Sequence, residues 1–208
     1  MSNYRVSLKK YSTNCLETEF YAKNIAKQNN KVWISPYNDR QVIAGQGTVG
    51  LEISKQVVDF DAVLVKIGGG GLISGIGSYM KEMKPKVEVI GCEPENSCEM
   101  TLSLEAGEII DMAEELETLS GASAGGIERG AITFQICQKV VDDTLLVNEK
   151  AIAHAIRFIA HNHYKVIEGA AGVAVASLIE NKERFKGKKV VVVICGGNMD
   201  MKKFKEII

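Results

Sequence analysis

Asp61-Ala-Val-Leu-Val-Lys-Ile-Gly68-Gly-Gly-Gly-Leu72-Ile-Ser-Gly-Ile-Gly-Ser-Tyr-Met80 reads as strand, glycine loop and helix. The apolar run from Asp61 to Ile67 suits a strand buried on both faces. Gly68, Gly69, Gly70 and Gly71 have no Cβ, so their backbone can approach an anion closely and aim several N–H groups at it. The helix that follows adds its positive N-terminal end. A phosphorylated small molecule is the ligand this arrangement suits.

Working outward, Lys86 to Gly91 is the next strand, so the centre of the chain is a βαβ unit. Such a unit calls for a right-handed crossover and a parallel sheet. Glu99 to Glu105 and Thr133 to Val140 read as helices, with a long Gly- and Ser-rich connection from Ile109 to Gly130 between them. A connection of that length is a candidate wall of a site. Thr144 to Val147 is a short strand, and Asn148 caps a helix reaching about His163. Glu168 to about Ile179 is an Ala-rich helix. Lys189 to Ile194 is almost wholly apolar, as a central parallel strand should be, and it ends in Cys195-Gly-Gly-Asn198.

The beginning of the chain is less regular. Tyr4 to Tyr11 alternates like a half-exposed strand. Thr13 or Asn14 caps a helix from Leu16 to about Gln28. Val32 to Ile34 is a short strand stopped by Ser35-Pro36. Asp39 or Asn38 caps the turn into Val42-Ile-Ala44; Gly45-Gln-Gly47 follows, and a helix runs from Thr48 to about Val58. The fold class expected is therefore α/β, an open, twisted, mostly parallel sheet with helices on both faces.

With 208 residues and 46% hydrophobic content the chain can bury one sizeable core. A net charge of −1 argues against a nucleic-acid scaffold, and Lys202, Lys203 and Lys205 read as a solvated helix end. No apolar run approaches the ~20 residues of a membrane helix, and the first five residues lack the apolar core of a secretion signal. Five scattered cysteines without a C-x-x-C pair point to reduced thiols in a cytoplasm.

Ligands of open parallel sheets bind at the carboxyl ends of strands. Two glycine-rich strand ends occur here, Gly68–Gly71 and Cys195–Asn198, and in one sheet both would open on one crevice. A dinucleotide is the rival ligand. Glu93 lies at the usual distance for a ribose-binding acid, but the tetraglycine loop lacks the G-x-G-x-x-G spacing. The one match, Gly45-Gln-Gly-Thr-Val-Gly50, follows only the short run Val42-Ile-Ala44.

The chain resembles the carboxyl-terminal two-thirds of the threonine/serine dehydratases, the fold type II pyridoxal phosphate (PLP) enzymes that include serine racemase. The likeness is carried in order by Ser35-Pro-Tyr-Asn-Asp39, Val42-Ile-Ala-Gly-Gln-Gly-Thr-Val-Gly-Leu-Glu52, Gly68 to Ile76, Val89-Ile-Gly-Cys-Glu-Pro94, Val141-Asp-Asp143, Glu168-Gly-Ala-Ala171 and Cys195-Gly-Gly-Asn-Met-Asp200. The resemblance implies that Gly68, Gly69, Gly70, Gly71 and the amide of Leu72 cradle the PLP phosphate. It implies that Cys195 stands beside the pyridine nitrogen, where a neutral group favours β-elimination, and that Glu168 faces the cofactor ring; a carboxylate stabilised at a helix N-terminus is the other reading of Glu168. Glu93, the carbonyl of Ser97, and Glu99 match a cation site (Mg, Ca or a monovalent ion); a solvated acidic loop is the alternative. Gly125 and Gly126 fall in a loop bordering the cofactor, but Ser120 to Glu128 departs from the family's Ala-Asp-Gly pattern.

The family's lysine, which bonds to the cofactor and moves protons, lies in a Ser-Phe-Lys-type motif that this chain does not contain. Lys66, just before the loop, is expected near the phosphate rather than the aldehyde, and no catalytic residue is assigned. His154, His161 and His163 read as surface or half-buried structural residues. Residues 1 to 40 would be a remnant of the family's smaller domain and 41 to 208 its larger PLP-binding domain. The expected partners are a small amino acid substrate and either further copies of the chain or a complementary amino-terminal chain, with no nucleic acid and no membrane. Three functions follow: a serine/threonine ammonia-lyase completed by an amino-terminal segment, a non-catalytic PLP- or phosphate-ligand-binding remnant, and a dinucleotide-binding oxidoreductase.

Overall fold

All five residues of β1, Ala62–Lys66, are buried. That burial follows from their place inside a parallel sheet. β1 pairs with β2 (Glu88–Pro94) on one side and β4 (Val190–Val192) on the other. β3 (Asp143–Val147) pairs with the far side of β2, giving the parallel order β3-β2-β1-β4. The computed structural model describes residues 7–112, 116–121 and 124–208.

Helices cover both faces, as expected of an α/β chain. α3 (Gly71–Met83) and α5 (Ile132–Val140) lie on one face, where Ile73, Ile76, Met80 and Phe134 pack with Val63, Val65 and Val89. α6 (Glu149–His163), α7 (Gly169–Glu180) and α8 (Met201–Ile207) lie on the other, where Ile152, Ile156, Ala171, Ala174 and Phe204 pack with Leu64, Ile90 and Cys92. Alternation along β1 thus feeds two cores. α4 (Glu99–Ala106) follows β2, and α1 (Cys15–Gln28) and α2 (Arg40–Gln56) precede the sheet. Asn14, Asp39 and Asn148 cap α1, α2 and α6 by accepting first-turn amides.

Four local expectations are corrected. Ser7–Tyr11 carries no strand, with Leu8 and Tyr11 exposed; Tyr4 to Val6 lie outside the described residues. Val32–Ile34 is not a strand either: Val32 is 87% and Ile34 66% exposed, and a strand without a partner has no ladder to hold it. Gly45-Gln-Gly47 does not interrupt a helix but lies inside α2. The reason is tertiary. A β-carbon at Gly75 of α3 would lie 2.6 Å from the Gly47 amide nitrogen and would also strike the Ile43 carbonyl, so the two helices touch backbone to backbone. The glycine spacing there is a packing device, which removes the strand-to-helix context a dinucleotide loop requires. Finally, β4 is a three-residue strand, half-buried and paired among the described residues with β1 alone, rather than a central strand buried on both faces.

Candidate functional site

The carboxyl ends of β1 and β4 open on a cavity of about 560 Å³, a volume suited to a small ligand. Gly68–Gly71 and Leu72 line it from one side and Glu168 and Cys195 from another, so the two glycine-rich turns do share one crevice. Gly125 and Gly126 also border it.

The glycine loop is shaped from behind as well as from the front. Gly70 has φ +85°, a left-handed conformation at the N-cap of α3 that a side chain would strain. At Gly69 a β-carbon would run into the Tyr37 ring, and at Gly71 it would lie 2.9 Å from the Tyr37 Cα. Tyr37 therefore occupies the space that side chains would need. The amides of Gly71 and Leu72 belong to the first turn of α3 and have no intrahelical acceptor, which leaves them for an anion.

Tyr37 is itself fixed. Its hydroxyl accepts the Glu128 N–H at 3.0 Å. Burial pushes its phenol up to about 12, and the carboxylates of Glu19 and Glu128 add to the effect. The neighbouring Asn38 donates Nδ2–H to Glu128 Oε2 at 2.8 Å and accepts the Ile132 N–H at 2.9 Å. The Ser35–Asp39 turn is thus clamped to the start of α5. Glu19 of α1 lines the cavity too, and burial, reinforced by Glu128, raises its carboxyl above the usual range.

At the other end, Glu168 is the N-cap residue of α7 but makes no side-chain cap bond. Its carboxylate instead accepts the Asn198 N–H at 3.1 Å, and its own N–H donates to the Gly196 carbonyl at 3.1 Å. The residue stands at a helix N-terminus and lines the cavity. Partial burial and then the Glu168 charge raise the Cys195 thiol, so it stays neutral at physiological pH.

Lys66 also lines the cavity and is 4% exposed. Burial lowers its ammonium to about 8 against the opposing pull of Glu93. Glu93, 1% exposed, is turned toward α4, where Oε2 accepts the Thr101 N–H at 2.7 Å and the Thr101 hydroxyl at 2.5 Å, and Oε1 accepts the Met100 N–H at 3.3 Å. Ser97 donates its hydroxyl to Glu99 Oε2 at 2.9 Å. Among the described residues no three His, Cys, Asp or Glu side chains converge as a metal set. His154, His161 and His163 are exposed and lie away from the cavity.

The wall contributed by Cys15, Leu16 and Glu19 of α1 and by Gln46 and Val49 of α2 was not legible in the chain. Only the motifs Ser35–Asp39 and Val42–Glu52 hinted that this region matters. Lys66 differs: its place directly before the glycines was visible, its burial was not.

The sequence profile of pyridoxal-phosphate dependent enzymes matches residues 4–196. The chain belongs to this family. Its relatives among PLP-dependent enzymes include an L-threonine ammonia-lyase of Thermotoga maritima, 43% identical over 187 residues that make up 90% of this chain and 46% of that protein. The catabolic L-threonine dehydratase of Escherichia coli K12 is 35% identical over 99% of this chain and 62% of its own length. Among solved structures, the processed threonine deaminase isoform 2 of Solanum lycopersicum superposes with a TM-score of 0.87 at 32% identity, covering 95% of this chain and 57% of that one. Maize serine racemase gives 0.88 at 25% identity, covering 99% and 63%. The chain therefore spans about half to two-thirds of the length of these relatives. The fold type II architecture and the kinship with threonine/serine dehydratases, both implied by the motifs, hold.

Proposed function

We propose that this chain is the cofactor-binding part of a PLP-dependent dehydratase that converts serine or threonine to a 2-oxoacid and ammonia. The observation that carries this reading is the convergence of Gly68–Gly71, Glu168 and Cys195 on one cavity. The donor set fits the cofactor. A loop of amides at a helix N-terminus suits its phosphate, and a neutral thiol suits an unprotonated ring nitrogen. When bound, PLP supplies the electron sink that lets the α-proton and the β-hydroxyl leave the amino acid.

The chain's own residues bind and orient. The Gly68–Leu72 amides hold the phosphate, with Tyr37 fixing the loop's shape from behind. Cys195 offers the ring nitrogen no strong acid. Glu168 holds the Cys195–Asn198 turn against α7 and presents a carboxylate to the cavity.

An amino-terminal segment, from a longer chain or a complementary one, covers the cavity and the free side of β4. Residues 1–40 then belong to a smaller domain: no residue of α1 is buried, and Val32 and Ile34 expose apolar surface. Association with further copies is the other way to cover it. The free cysteines accord with a reducing, cytoplasmic setting.

The test is a PLP titration of the purified chain, read by cofactor absorbance after gel filtration, followed by L-serine or L-threonine and a 2-oxoacid assay. Stoichiometric PLP binding is expected of the chain alone, which lacks the family's lysine and should be inactive, and 2-oxoacid release only after adding the amino-terminal segment of a relative. PLP bound with no turnover in either case would make the chain a non-catalytic binder. Failure to retain PLP at all would remove the reading.

A further inference from the structure

Gly125-Gly-Ile-Glu128, the end of the stretch that departs from the family's Ala-Asp-Gly pattern, touches α1 at two places. At the start of the helix the contact is made by missing side chains. A β-carbon at Gly125 would lie 3.1 Å from the Cys15 Cβ, and one at Gly126 would lie 3.3 Å from the Leu16 Cδ2. Gly125 also has φ +127°, which a side chain would strain. Two helical turns further along α1, Lys23 Nζ donates to Glu128 Oε1 at 2.5 Å. The stretch itself is anchored, because Ile127 is buried in the core on the α3 face of the sheet.

α1 depends on such contacts. None of its residues is buried, and Phe20 and Ile25 are exposed, so no apolar core holds it. Yet Cys15, Leu16 and Glu19 wall the cavity. An exposed ion pair alone would hold a helix weakly. Glu128 is better placed than that. Its side chain is only 16% exposed, against 48% for Lys23. Its Oε2 accepts Nδ2–H of Asn38 at 2.8 Å, and its N–H donates to the Tyr37 hydroxyl at 3.0 Å. The carboxylate is therefore held in place by the Ser35–Asp39 turn before Lys23 reaches it, and a charge-assisted bond to a fixed carboxylate is the stronger kind.

We propose that Gly125–Glu128 is the seat of α1, with Glu128 as the positioning residue that fixes α1 and the Ser35–Asp39 turn at one point. Tyr37 of that turn backs the glycine loop, and Leu16 and Glu19 of α1 form another part of the cavity wall. One side chain thus holds two walls of the cavity together. Its loss releases both from one another while the sheet stays intact. This holds whatever ligand the cavity takes and does not rest on PLP being that ligand.

Hydrogen exchange of the purified chain without ligand, read by mass spectrometry, tests it, with iodoacetamide alkylation of Cys15 as a second readout. E128A should raise exchange in α1 and in the Ser35–Asp39 turn by roughly fivefold and accelerate alkylation of Cys15, while β1 stays protected. K23M should do the same to α1 and Cys15 but leave the turn unchanged. Adding K23M to E128A should change α1 no further, because both remove one bond. Raising the NaCl concentration should loosen α1 in the unaltered chain and not in K23M. Unchanged α1 exchange in K23M, or additive effects of K23M and E128A on α1, would overturn the proposal. So would an E128A chain whose turn exchanges as before. Should E128A not fold, K23M carries the test at its half-exposed position beside K23R: K23R keeping the α1 protection that K23M loses supports the proposal, and equal loss in both overturns it.

Discussion

Glu168 and Gly196 are in direct contact where α7 begins and the chain leaves β4. A β-carbon at Gly196 would strike the Glu168 carboxylate, with Oε2 only 2.8 Å away, and the Glu168 N–H donates to the Gly196 carbonyl at 3.1 Å. This contact sets where the carboxylate and the Cys195 thiol stand relative to the cavity.

Gly196→Ala therefore forces one side of that contact to move. Overpacking of this kind costs about 1–3 kcal/mol. A lower urea midpoint is expected, together with weaker PLP binding in the titration described above. An unchanged PLP affinity would show that the Glu168 position does not matter to the ligand.

The Glu168 charge also acts on Cys195. It is the second cause, after burial, of the raised thiol. Glu168→Gln removes that charge, lowers the thiol's pKa and enlarges the thiolate fraction. Alkylation of Cys195 by iodoacetamide at pH 8 should then accelerate, while the rate at Cys15, the other exposed cysteine, stays constant. Peptide mass spectrometry resolves the two.

Two glycines of similar appearance in sequence should behave oppositely. Gly75→Ala drives a methyl group into the backbone of α2, with the Gly47 nitrogen 2.6 Å away. A loss of about 3 kcal/mol or failure to fold is expected. Gly45 lies inside α2 with nothing within 4 Å of an added β-carbon. Gly45→Ala should stabilise the chain by about 0.5–1 kcal/mol through helix propensity. Chemical denaturation measures both. A loss of ligand binding in Gly45→Ala would revive the phosphate-loop reading of Gly45–Gly50.

Tyr37 gives a pH signature. Its phenol is raised to about 12, chiefly by burial. The native state then keeps a proton that the unfolded chain releases near 10. Unfolded chains bind fewer protons in that window, so native stability falls as pH rises from about 10 to 12. Tyr37→Phe should flatten this slope. At neutral pH it should cost about 1 kcal/mol for the lost Glu128 N–H···O bond. Denaturation midpoints at pH 8, 10 and 11 check both.

Local chemistry determined much of this protein from sequence alone. The unbroken apolar run of β1, the four glycines and the following helix placed a βαβ unit and its anion-binding turn, because strand burial, missing β-carbons and helix caps are written in neighbouring residues. The ordered motifs placed the family. Tertiary structure decided the rest. It made Gly45 and Gly47 part of one helix by pressing α2 against α3, put Tyr37 behind the glycine loop, brought α1 to the cavity wall and left β4 at an edge. It also buried Lys66 opposite Cys92 and turned Glu93 to α4, placements that depend on strand register. Periodicity records which face of an element is apolar. It does not record which distant element will cover that face.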